Sequence, residues 1–96
     1  MKDCSIALQI LCFNKTQTDL LKLVDEVISL IANSGLNYRV GAFETVFEGS
    51  YHDCMNLLDK CLRLGCKDGA DIFANIKIHY YDNNEILTID DKLNKY

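Results

Sequence analysis

Five cysteines (Cys4, Cys12, Cys54, Cys61, Cys66) and two histidines (His52, His79) carry the side chains most often used for nucleophilic or metal chemistry. Their spacing argues against both uses. No cysteine pair has the C-x-x-C separation of zinc and thioredoxin sites. Cys54 and Cys61 are seven apart on one side of an expected helix, which sets their Cα atoms about 10.5 Å apart, beyond disulfide reach. They read as small core residues. Five thiols, an odd number, with a start (Met1 to Ser5) that does not resemble a signal peptide, point to a reducing compartment, the cytoplasm. His52 and Cys54 are two positions apart, so on a helix their side chains diverge by about 200° and cannot act as a dyad. G-x-S-x-G, P-loop and H-E-x-x-H motifs are absent. The expectation is a protein that is not an enzyme and needs no metal or cofactor.

The whole chain has 14 acidic against 10 basic residues, a net charge of -4, 49% hydrophobic residues and no proline. Such a composition is globular, and 96 residues allow a single domain over 1–96. Acidity with scattered Lys and Arg argues against a nucleic-acid partner. The longest apolar runs fall far short of the roughly 20 residues of a membrane span.

The elements that must position any site follow from hydrophobic period. Ser5 to Cys12 alternate, with Ile6, Leu8, Ile10 and Cys12 on one side, as in a strand. Thr16 or Thr18 caps a helix whose stripe is Leu20, Val24, Val27 and Ile31, widened by Leu23, Ile28 and Leu30 and ended by Gly35. Asn37 to Phe43 and Thr45 to Glu48 form a hairpin turning near Gly41-Ala42. Ser50, with Asp53 three residues later, opens a second helix with Cys54, Leu57, Leu58, Cys61, Leu62 and Leu64 on its apolar side. Asp71 to Tyr81 alternates again, with Ile72, Ala74, Ile76, Ile78 and Tyr80 facing the helices. Leu87 to Tyr96 is expected to add a short strand and a helical turn capped by Thr88. The order, βαββαβ, predicts an α+β, ferredoxin-like fold: a four-stranded antiparallel sheet with two helices on one face.

The second sheet face is then left to its own chemistry. By phase it carries Ser5, Ala7, Gln9 and Leu11, then Arg39, Phe43, Thr45 and Phe47 from the hairpin, then Phe73, Asn75, Lys77 and His79. Phe and Leu mixed with Gln, Thr and Asn suit a subunit interface containing a small polar pocket. The alternative is a purely structural homo-oligomer, with the polar groups satisfied across the contact.

Ser5-Ile6-Ala7-Leu8-Gln9-Ile10-Leu11, the block from Gly35-Leu36-Asn37-Tyr38 through Glu44-Thr45 to Glu48-Gly49, Gly69-Ala70-Asp71 and Leu87-Thr88-Ile89-Asp90-Asp91-Lys92-Leu93 together resemble a family of small thiamine-binding proteins. The family is similar to each half of tandem-domain proteins that bind thiamine or hydroxymethylpyrimidine. The resemblance covers nearly the whole chain. It implies a ferredoxin-like fold, homodimers or homotetramers assembled through the sheets, and non-catalytic binding of thiamine or a related pyrimidine, thiamine phosphate included. The sequence departs from the family at Cys12 and Ala42, where proline is common, and at Asn75, near a usual hydroxyl residue. The resemblance makes the mixed face a ligand site. There Phe43, Phe47 and Phe73 would offer aromatic faces, and Gln9, Thr45 and Asn75 would pair with the pyrimidine edge. Glu48 would favour the thiazolium cation, although its phase turns it toward the helices. Lys77 would suit a phosphorylated form.

Overall fold

The computed structural model describes residues 1–96. β1 (Cys4–Cys12) is followed by α1 (Gln17–Ala32), β2 (Asn37–Val40), β3 (Thr45–Gly49), α2 (Tyr51–Gly65), β4 (Ile72–Tyr80) and α3 (Ile89–Leu93). The four strands form one sheet in the order β2-β3-β1-β4 with every neighbour antiparallel. This is the ferredoxin-like βαββαβ arrangement with a short helix added at its end. No helix is long and apolar enough to cross a membrane.

Local chemistry sets the helix ends. Thr16 Oγ accepts the Asp19 amide at 3.1 Å, and Ser50 Oγ accepts the Asp53 amide at 3.1 Å. Each satisfies an amide that the helix itself leaves unpaired. The Asp3 carboxylate adds a second partner to α2, accepting from the Tyr51 amide at 2.8 Å. Past α1 the chain reverses at Gly35, whose φ of +85° is costly for any residue with a Cβ.

α1 and α2 cover the same side of the sheet. Ile6, Leu8 and Ile10 of β1 and Phe47 of β3 meet Leu23, Val27 and Ile31 of α1 and Cys54, Leu57, Leu58 and Cys61 of α2. Within the expected α1 stripe Leu23, Val27 and Ile31 are buried, whereas Leu20 and Val24 are only partly covered. β2 ends at Val40 rather than Phe43, because the Gly41 amide bonds back to the Glu44 carbonyl at 3.0 Å and closes the hairpin there. Residues 87–88 form no strand; Thr88 instead caps α3 directly.

β4 is an edge strand, and α2 covers only its ends, where Ile72 packs beside Gly65 and Tyr80 against Tyr51. Ile76 and Ile78 pair with Leu8 and Ile6, so they face the helical side, yet they stay 37% and 50% exposed. All five thiols are free. Burial pushes the Cys54 thiol up to about 12 and the Cys61 thiol up to about 11. Cys4 is also raised by burial, and it takes the Cys54 Sγ–H on its carbonyl at 3.6 Å.

Two outcomes follow. Alkylation of the native protein at mildly alkaline pH should modify exposed Cys66 and half-buried Cys12, leaving Cys4, Cys54 and Cys61 to react only after denaturation, as read by mass spectrometry. Phe47→Ala should lower the unfolding free energy by about 3–5 kcal/mol in urea titrations, the cost of emptying a core aromatic site.

Candidate functional site

Residues directly opposite on paired strands share a sheet face. Leu8 is paired with Thr45 and Ile6 with Phe47. Thr45 and Phe47 therefore face the helices, and Phe47 is wholly buried there. Both were expected on the open face, and that expectation is corrected. Glu48, expected on the helix side, lies on the open face opposite Ser5. The strand Thr45-Val46-Phe47-Glu48 has an apolar residue in either phase, so alternation alone does not orient it. Pairing with β1 does.

The open face is built of rows. Arg39 is opposite Val46, Val46 opposite Ala7, and Ala7 opposite Lys77. This row crosses all four strands, with a long cation at each end and two small apolar residues between. Its end Cα atoms are about 14 Å apart, three strand spacings. On one side lies the row Asn37, Glu48, Ser5, His79; on the other, Gln9 is opposite Asn75. Asn75 Nδ2 donates to Gln9 Oε1 at 2.9 Å, so the two expected polar residues are in contact.

Glu48 is 1% exposed, and its carboxylate collects three donors. Asn37 Nδ2 lies at 2.7 Å, the Ile89 amide at 2.8 Å and Lys2 Nζ at 3.3 Å. A buried carboxylate is tolerable only with such partners. One of them is the first amide of α3, so Glu48 pins that helix onto the open face. Thr88 and Asp91 complete a reciprocal capping box, with Asp91 Oδ2 accepting from the Thr88 amide at 2.9 Å and Thr88 Oγ accepting from the Asp91 amide at 3.0 Å. The backbone of Lys2 joins in: its amide donates to the Glu85 carboxylate at 3.2 Å and its carbonyl accepts from Ile86 at 3.0 Å.

Between α3 and the strands lies a pocket of about 480 Å³. Ala7, Val46 and Ser5 line it from the sheet, Arg39 and Lys77 from the edge strands, and Ile89, Lys92 and Leu93 from α3. Lys77 Nζ meets Glu44 Oε1 at 3.2 Å and Arg39 meets Asp90 Oδ1 at 3.5 Å, both exposed pairs. Of the expected site residues, Lys77 lines the pocket, and the Gln9–Asn75 pair sits one row beyond the Ala7–Lys77 pairing. Phe43 projects from the hairpin loop, 81% exposed, beside the lining residue Glu44. Glu48 acts beneath the pocket wall rather than in the lining. The α3 residues were missed as site residues, although Ile89 and Leu93 have the i, i+4 spacing of a helix face. His52 contacts Asn56 at 3.2 Å on the surface of α2, which packs on the opposite side of the sheet.

A family model described as thiamine-binding protein matches residues 6–96. The chain belongs to the thiamine-binding protein family. A UPF0045 protein of Clostridium perfringens is 32% identical over 97 residues, spanning 100% of this chain and 99% of that one. Among solved structures, a DUF77 domain from Bacillus cereus superposes with a TM-score of 0.84 at 31% identity, over 100% of this chain and 92% of that one. A Thermotoga maritima protein provisionally assigned to thiamine biosynthesis or salvage gives 0.83 at 22% identity, over 98% of each chain, and shares the fold.

In this family member, Glu48→Ala strands three donors. It should cost about 1–3 kcal/mol and speed amide exchange across Ile89–Leu93 while exchange in β1 stays slow. Asp91 titrates below its ordinary 3.8 because the Thr88 amide, and then the Thr88 hydroxyl, bond to its carboxylate. Its contribution is complete above 3.8 and fades as pH falls through the lower folded value. The Thr88 amide resonance should therefore hold steady on acidification to about pH 4 and shift only below it.

Proposed function

We propose that the pocket on the open sheet face binds a thiamine-type compound, and that it does so without catalysis. The observation that carries the reading is the pocket itself, formed in a member of the thiamine-binding protein family. Its volume of about 480 Å³ falls in the range of small-molecule sites. The sheet side offers the small apolar residues Ala7 and Val46 to a flat ring, and the neighbouring Gln9–Asn75 pair offers an amide donor and acceptor to an aminopyrimidine edge. Phe43, free on the hairpin loop, is placed to add an aromatic face over a bound ring. Thr45 and Phe47 take no part, being on the helix side.

Assembly of copies belongs to the same reading. Leu11, Phe73, Ile76 and Ile78 keep 40%, 46%, 37% and 50% of their surface exposed along β1 and the β4 edge. Burying the half of each that is still exposed stabilises by roughly 1 kcal/mol apiece, which favours a homodimer or homotetramer. Free thiols support a reducing, cytoplasmic setting.

Isothermal titration with thiamine, its phosphates and hydroxymethylpyrimidine tests the proposal. One site per chain is expected. Ala7→Leu, which puts bulk into the pocket without entering the core, should weaken binding at least about tenfold, or 1.4 kcal/mol, with the melting temperature little changed. Unaltered affinity in that variant would move the ligand off this face.

A further inference from the structure

The charges of the pocket do not match those of the whole chain. The protein carries a net charge of -4. The pocket is lined by three cations, Arg39, Lys77 and Lys92, against one carboxylate, Glu44. A second pocket, at the start of α1, shows that this surplus is not a general property of concave surface. There Lys15, Lys22 and Lys67 are balanced by Asp19, Glu26 and Asp68.

The three cations come from separate elements. Arg39 and Lys77 stand at opposite ends of one cross-sheet row, and Lys92 reaches in from α3. Lys92 pairs with no carboxylate. Arg39 pairs with exposed Asp90 and exposed Lys77 with half-buried Glu44, surface pairs that are weak and that an incoming anion can displace. Three other acids lie nearby and none lines the cavity: Asp90 is the exposed partner of Arg39, Asp91 is committed to the Thr88 cap, and Glu48 is satisfied by Asn37, Lys2 and the Ile89 amide.

A thiazolium ring alone would bring another positive charge into this surplus. A phosphate monoester carries about −1.5 to −2 at neutral pH and offers three acceptor oxygens. We propose that the pocket selects the phosphorylated form of its ligand, with Arg39, Lys77 and Lys92 as the phosphate subsite. The inference rests on the reading of this pocket as a thiamine-type site, and it names the chemical form that the site takes. Arginine supplies a planar fork for two phosphate oxygens, and the lysines act as point charges.

Calorimetric titration of the full chain with thiamine, thiamine monophosphate and inorganic phosphate separates this inference from the reading on which it rests. Thiamine monophosphate should bind at least about tenfold more tightly than thiamine in about 0.01 M salt, and the difference should shrink toward about 1 M as the cations are screened. Arg39→Gln and Lys92→Gln, both at exposed positions, should erase most of that preference, weakening the monophosphate by a larger factor than thiamine. Thermal melts of both variants check that the fold is intact. Thiamine binding as tightly as its monophosphate would overturn the phosphate subsite and leave the ligand site standing. Binding of inorganic phosphate, with neither thiamine compound exceeding it, would uphold the subsite and overturn the thiamine reading. No binding of any of the three would overturn both.

Discussion

The burial of a single carboxylate organises the functional half of this molecule. Glu48 sits where a charge is expensive, and it is stabilised by donors from three distant parts of the chain: Lys2 before β1, Asn37 on β2, and the first amide of α3. Those same bonds convert a bare sheet face into a cavity, because α3 is the wall that makes the face concave. The central strands thus have two different sides. One carries Ile6, Leu8 and Phe47 and is held by non-directional packing. The other carries Ser5, Ala7, Val46 and Glu48 and is held by directed polar contacts that leave room for a guest.

The fold was legible where a pattern is long and has one solution. β1 and β4 each give nine residues of alternation, and α1 and α2 each give more than three turns with explicit caps at Thr16 and Ser50. β3 is only five residues long and amphiphilic in both phases, so its facing follows from its register with β1 rather than from its own sequence. Thr45 and Phe47 were misplaced for that reason, and Glu48 with them. Half of the site follows from strand phase alone: Gln9, Asn75, Lys77 and Arg39 do share the open face. The other half depends on α3, which at five residues carries too little periodicity to announce itself beyond its Thr88–Asp91 cap. Its docking is tertiary in origin.

The sheet also divides its exposed apolar surface unevenly. β1 and β3 are covered on one side by two helices, while β4 keeps Ile76, Ile78 and Tyr80 open on that side and Phe73 on the other. Phe73 finds one internal partner, stacking edge-on with Phe13 at 5.8 Å, and Tyr80 rests against Tyr51 at 4.5 Å. An edge strand of nine residues with apolar groups on both faces is a standing invitation to pair. On its open side the strand turns polar after Phe73, with Asn75, Lys77 and His79 in succession.

The clasp between Lys2 and Glu85 joins residues 83 positions apart in sequence. Contacts of that separation carry the largest loop-closure cost and are favoured only once the intervening chain is already compact. A five-residue helix has no stability of its own to offset that cost. The seating of α3 therefore comes after the sheet in the order of assembly and is the first contact to yield. One wall of the cavity thus rests on contacts that cost less to open than the core beneath it, so the sheet can keep its packing whatever happens at that wall.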